Sequence, residues 1–303
     1  MKPFNFPNRP VLLDGGMGRE LRFRGVDTLK PSWSASALLT TPEIVQQIHS
    51  DYISAGADVI STNTYGVIRS DLFKEGLEDR FVQLNQIACE LAKKARDLAD
   101  HPVFIAGSLP PLKGSFRPDL VGEIAELEPL YREQAELLAP HVDLLLCETM
   151  STGAEAKAAV TAACQTGKPV WVAWTLHEDH SGRLRSGETI AEAAAALKDL
   201  PISGALVNCC SPESITMAMP ALTSTGFDFV GGYANTFQSI PESWTLDGGD
   251  ETDGIIDLRA DLDPMEYRQH AADWLKAGAT VVGGCCGTRP AHIAEIHHLI
   301  MEL

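Results

Sequence analysis

The sequence predicts an α/β fold, a (β/α)8 TIM barrel forming a single domain over residues 1–303. Three observations carry the prediction. Eight short runs rich in Val, Ile, Leu and aromatic residues recur along the whole length, each nearly continuous in its apolarity and too short for a helix. Parallel strands covered on both faces have this pattern. Amphipathic segments lie between the runs, so strand and helix alternate through the chain, as a barrel requires. The rival, an open doubly wound sheet binding a dinucleotide, would place Gly-x-Gly-x-x-Gly after its first strand. Asp14-Gly-Gly-Met-Gly18 is Gly-rich with a different spacing.

In chain order the expected strands are 11–14, 58–62, 103–108, 143–149, 170–176, 205–210, 229–235 and 280–285. The expected helices are 42–55, 81–98, 127–138, 153–165, 189–197, 214–221 and 263–277. Ser54-Ala-Gly-Ala-Asp58 and Leu275-Lys-Ala-Gly-Ala279 are alike: in each a helix ends on a Gly cap and a strand begins at once. No Pro/Ser linker or shift of composition divides the chain. Segment 236–261 breaks the rhythm, with Gly249, Gly254, several acids and few apolar residues. A loop that long in a compact domain is expected to be functional or mobile, and after a barrel strand to lie over the mouth.

Composition narrows the function. Lys plus Arg number 24 and Asp plus Glu 41, a net charge of −17. A field of that sign disfavours nucleic acid and anionic membranes as partners. No apolar run approaches the ~18 residues of a membrane span, and MKPFNFPNRP lacks the apolar core of a secretory signal. The seven cysteines are Cys89, Cys147, Cys164, Cys209, Cys210, Cys285 and Cys286. An odd count, clustered in this way, does not fit a disulfide scaffold; reduced thiols in a cytoplasmic protein are expected.

Barrel enzymes place their chemistry at the C-terminal ends of the strands. Those ends here are Asp14, Asn63, Ser108, Glu148, Thr175, Cys209 with Cys210, Asn235, and Cys285 with Cys286. Nearly all are polar or thiols, although apolar runs lead into them. Asn208-Cys-Cys-Ser and Gly283-Gly-Cys-Cys-Gly-Thr288 close the sixth and eighth strands and face one mouth. Three thiolates gathered there make a soft tetrahedral site suited to Zn2+, with a fourth position open to substrate. Adjacent strand residues point to opposite faces, so Cys285 and Cys286 need a bend to reach one metal. Gly283 and Gly284 are expected to provide it. Cys209 and Cys210 lack such glycines, so one of that pair is expected to bind, and spacing does not say which.

Asp14-Gly-Gly-Met-Gly, Gly56-Ala-Asp-Val-Ile-Ser-Thr-Asn-Thr64, Glu148-Thr149, Asn208-Cys209 and Gly283-Gly-Cys-Cys-Gly-Thr288 together resemble the homocysteine S-methyltransferase family. The resemblance runs from about Val11 to Ile296. It implies a (β/α)8 barrel, in agreement with the strand count, and zinc ligands Cys209, Cys285 and Cys286, with Cys210 a neighbour. It also implies that Glu148 and Asp14-Gly15 hold the amino acid. The expected substrate-binding set is Asp14, Gly15, Asn63, Glu148 and Asn235, with no catalytic side chain beyond the substrate thiolate on zinc. Coordination to zinc deprotonates the homocysteine thiol while leaving it nucleophilic.

Betaine-dependent members carry a Tyr shortly after the strand-two motif, where this sequence has Gly66. Trp33-Ser34 and Leu38-Leu-Thr look more like the stand-alone enzymes using S-methylmethionine or S-adenosylmethionine. A sulfonium donor favours aromatic faces, and Tyr65, Tyr233 and Trp244 are candidates. The expected partners are homocysteine and a small methyl donor, with a homo-oligomer allowed. Two alternatives stand beside this reading. One keeps the thiol activation and changes the acceptor to selenocysteine or another small thiol, or the donor to a betaine-like one. The other is a non-catalytic zinc or redox-sensing protein, which needs no ammonium-binding acid such as Glu148 or Asp14 beside its metal.

Overall fold

The computed structural model describes residues 6–28, 33–240 and 256–303. Eight parallel strands form one sheet: β1 (Val11–Leu12), β2 (Val59–Ser61), β3 (Phe104–Leu109), β4 (Leu144–Met150), β5 (Val170–Trp174), β6 (Gly204–Asn208), β7 (Phe229–Ala234) and β8 (Val281–Gly284). The order β1-β8-β7-β6-β5-β4-β3-β2 curls the sheet into a barrel. Its seam, between β1 and β2, is closed by the Leu13–Val59 bridge and by the amides of Asp58 and Asp14, which donate to Leu12 (2.8 Å) and Val59 (2.9 Å).

Around the sheet lie α1 (Met17–Phe23), α2 (Ala37–Thr40), α3 (Pro42–Ser54), α4 (Arg69–Lys74), α5 (Phe81–Arg96), α6 (Ile124–Leu138), α7 (Gly153–Cys164), α8 (Ile190–Ala195), α9 (Pro212–Thr223), α10 (Pro264–Lys276) and α11 (Pro290–Met301). Every expected strand and helix is present, with shifts of a few residues at the ends. Helix α8 starts one residue later than its pattern because Thr189 caps it, in a reciprocal pair with Glu192, and it ends two residues earlier, at Ala195. Four helices went unpredicted. Helices α1 and α4 bury few apolar side chains, Leu21 and Leu72 among them, and α2 is a single turn. His292, His297 and His298 blur the apolar stripe of α11. The two expected Gly caps are real: Gly56 (φ 100°) and Gly278 (φ 102°) take the left-handed conformation that a side chain resists.

The period of two along each strand sorts the core into two layers. Leu13, Val59, Ala106, Leu144, Leu146, Trp171, Ala173, Leu206 and Val281 fill the barrel. Their neighbours Leu12, Ile60, Ile105, Leu145, Val172, Ala205, Val207 and Val282 pack outward on the helices. Phe6, Phe104, Trp171 and Phe229 stack at the N-terminal end, with ring centroids 4.5–6.1 Å apart. Burying each such ring stabilises the fold by about 2–3 kcal/mol, and the plug leaves the opposite end of the barrel for chemistry. Among the described residues no helix is long and apolar enough to cross a membrane.

Candidate metal and substrate site

Cys209, Cys285 and Cys286 bring their sulfurs within 4.8 Å of one another at the C-terminal mouth. Cys209 follows β6 and leaves extended geometry, with φ 52°. The Thr175 hydroxyl donates to its carbonyl (3.2 Å), and its amide donates to Tyr233 (3.2 Å). This turn separates the doublet: Cys209 joins the thiol cluster, while Cys210 is fully buried in the layer between strands and helices. Cys285 and Cys286 lie just beyond β8, in the turn toward α11, and so escape the strand alternation.

That turn differs from the expectation for its glycines. The left-handed residue is Gly287 (φ 84°), not Gly283 or Gly284. Those two are small for close packing: a Cβ would fall 2.6 Å from Leu13 Cβ at Gly283 and 2.2 Å from Thr288 Oγ1 at Gly284. Gly16 has the same role, since its Cβ would fall 2.6 Å from the Cys285 carbonyl oxygen. Thr288 closes the turn, its hydroxyl donating to that carbonyl at 2.7 Å.

Hydrogen bonds from Cys209 and then Cys285 hold the Cys286 thiol well below its ordinary range, and sharing those protons pushes Cys209 up. One sulfur of the cluster thus ionises readily, and a cation at its centre would draw off the remaining protons. Three sulfurs on a tetrahedral zinc stand roughly 3.8 Å apart, a spacing the cluster can meet. The donor set fits a soft divalent metal, with Cys210 excluded.

Glu148 lies on β4 beside a break in the β4–β5 register between Cys147 and Met150. Its neighbour Thr149 is left-handed (φ 63°), and the Asn208 side chain clamps it, accepting from its amide and donating to its hydroxyl at 2.9 Å each. The irregularity puts Glu148 in the barrel mouth. Ser108 (2.5 Å) and Tyr233 (3.0 Å) each donate a hydroxyl to the carboxylate. Burial, then the charge of Cys285, pushes its pKa up to about 7. Asp14 is raised too, by burial first, against a hydrogen bond from the Ser61 amide at 2.8 Å that stitches the β1–β2 seam. Two carboxyls and three thiols crowd one water-poor space, an arrangement that calls for cationic partners.

Gly15, Asn63 and Asn235 complete the expected set. Gly15 is fitted against Tyr52, where a Cβ would fall 2.7 Å from the ring. Asn63 donates to the Ser34 carbonyl at 3.0 Å, while its buried Oδ1 has no partner. Asn235 accepts from the Phe237 amide at 3.1 Å, and its buried Nδ2 has no partner. Of the aromatic candidates, Tyr233 serves Glu148 and Tyr65 bonds Ser115 at 2.7 Å. Trp244 lies outside the described residues.

Sequence reasoning missed the apolar roof over the thiols. Phe116, Phe237, Ile240 and Ile256 pack with Cys209, and Leu258 joins them. Phe237 pairs with Leu258 across the expected long loop, so both described ends of that loop lie on the thiol cluster; residues 241–255 lie outside the described set. Phe116 is another left-handed non-glycine residue (φ 63°). Among the described residues, three of the four such residues, Phe116, Thr149 and Cys209, stand at the site, where backbone strain is commonly concentrated.

The family model described as homocysteine S-methyltransferase matches residues 11–300. The Escherichia coli homocysteine S-methyltransferase is 30% identical over 311 residues, covering 94% of each chain. A selenocysteine methyltransferase of Astragalus bisulcatus is 26% identical, covering 96% of this chain and 93% of its own. Among solved structures, the metallated form of the E. coli homocysteine methyltransferase MmuM superposes with a TM-score of 0.79 at 26% identity, covering 96% of both chains. Its oxidized form gives a TM-score of 0.80 at 27% identity, with the same coverage. With a barrel of this order, a thiol triad at its mouth and a family match over nearly the whole chain, the protein belongs to the homocysteine S-methyltransferase family.

Proposed function

We propose that this chain transfers a methyl group from a sulfonium donor, S-methylmethionine or S-adenosylmethionine, to the thiol of homocysteine, giving methionine. The observation that carries the reading is the convergence of Cys209, Cys285 and Cys286 beside Glu148 in one buried mouth. The three sulfurs would hold Zn2+. When bound, zinc supplies Lewis acidity that keeps the substrate sulfur as thiolate near neutral pH.

The chain's own residues do the rest. Glu148, oriented by Ser108 and Tyr233, would receive the substrate ammonium, with the Asp14 carboxyl close enough to feel its charge. The ammonium stabilises the ionised carboxylate, reversing the upward shift that burial imposes. The unpartnered Asn63 Oδ1 and Asn235 Nδ2 offer one further acceptor and one donor. The roof of Phe116, Phe237, Ile240 and Ile256 excludes water, which protects the thiolate from competing protons. The thiolate's electron pair forms the new carbon–sulfur bond. The old bond's pair stays on the donor sulfur, which leaves as a neutral thioether. A selenol acceptor is the second reading, favoured by the likeness to the Astragalus bisulcatus enzyme.

The test is a proton count. Homocysteine binding to the zinc-loaded protein is expected to release close to one proton more near pH 7 than binding to the zinc-free protein, measured by calorimetry in buffers of different ionisation enthalpy. The zinc-free protein is expected to bind weakly and to release only the fraction of a proton that Glu148 sheds on meeting the ammonium. Tight binding to the zinc form with no such excess would show that the metal does not activate the thiol.

A further inference from the structure

We propose that Arg185 is the recognition residue for the carboxylate of an amino-acid sulfonium donor, and so selects S-methylmethionine-type donors over sulfonium compounds lacking that group. The inference rests on the methyl-transfer reading above and adds to it the donor's second point of attachment.

Arg185 sits in the excursion between β5 and α8, where Leu176 pairs with Leu184 and the Arg185 amide donates to the Thr175 carbonyl at 3.3 Å. Its side chain is only 6% exposed, rare for arginine. The guanidinium carbon stands 4.9 Å from the centroid of Phe116, and Phe116 packs on Cys209. A cationic head is therefore held one ring away from the thiol cluster. Its ion pair is with Glu178, at 3.2 Å from one terminal nitrogen, while its buried Nε has no hydrogen-bond partner. Glu178 is itself fixed by the Ser211 amide at the start of α9. The head is thus pre-oriented, with donor capacity to spare in a fork that matches a carboxylate.

The placement suits the donor rather than homocysteine. Glu148 and Asp14 belong to β4 and the end of β1, whereas Arg185 comes from the loop after β5 and stacks on Phe116, a residue of the loop after β3 that packs with Cys209. In a methionine-type sulfonium the carboxylate lies four bonds from the sulfur, roughly 5 Å away. A donor with its methyl aimed at the cluster and its sulfonium by Phe116 could then place its carboxylate at Arg185. Phe116 is held in place at the expense of a left-handed backbone, as expected of a residue positioned for a ligand.

The experiment compares S-methylmethionine with its carboxamide as donors at saturating homocysteine. It uses the zinc-loaded full chain as wild type, Arg185→Gln and Arg185→Lys. In wild type, kcat/KM is expected to be at least about tenfold higher for the carboxylate donor. Arg185→Gln is expected to erase that preference by lowering kcat/KM at least about tenfold more for the carboxylate donor than for the carboxamide, and Arg185→Lys to restore part of it. Equal use of both donors by wild type overturns the assignment without any variant. So does an equal loss on both donors in Arg185→Gln, the mark of a purely structural ion pair. Wild type that turns over neither donor overturns this assignment, and failure with S-adenosylmethionine as well overturns the sulfonium reading itself.

Discussion

His49 offers a sharp test of the packing. It projects from α3, is fully buried, and neither ring nitrogen meets a hydrogen-bond partner. Burial pushes its pKa from 6.5 down to about 4. The sign follows from proton counting: between those values the unfolded chain binds a proton that the folded one refuses. His49 is thus silent above about pH 7 and erodes stability progressively as pH falls toward 4. With these two pKa values the loss reaches about 2 kcal/mol at pH 5. His49→Leu conserves volume and removes both the titration and two unsatisfied polar atoms. It should raise stability at pH 7.5 by about 1–3 kcal/mol, and the gap over wild type should widen by about 2 kcal/mol on going to pH 5. Urea unfolding of both proteins across that range measures the difference, in which every other titrating group cancels. Parallel stability curves would show that His49 is hydrated or paired in the folded state.

Two further outcomes concern the site. Cys285→Ala is expected to lose bound metal and activity while Cys210→Ala keeps most of both, because only the former thiol lies in the triad; metal analysis and a turnover assay check this. Glu148→Gln is expected to weaken the homocysteine Kd by roughly ten- to a hundredfold, the worth of a charge-assisted contact, with metal content unchanged; calorimetric titration of the zinc form checks it.

The sequence alone determined the alternation of eight apolar runs with amphipathic segments, the Gly caps at Gly56 and Gly278, and the two cysteine doublets at strand ends. These are local properties: side-chain period, turn chemistry and residue type are written within a few positions of each other. Helices α1 and α11 escaped because their apolar faces are short or interrupted by histidine, so neighbours rather than periodicity hold them in place. Tertiary structure alone decided why Cys209 and not Cys210 meets the triad. The reason is a left-handed turn held by Thr175 and Tyr233 from other strands. It likewise assigned Gly283 and Gly284 to close packing against Leu13 and Thr288. It also brought Arg185 onto Phe116, which packs with Cys209, although the two lie some seventy residues apart in a chain whose spacing gives no sign of either. Contacts of that kind arise between strand-end loops of no regular period, and only closure of the barrel makes them neighbours.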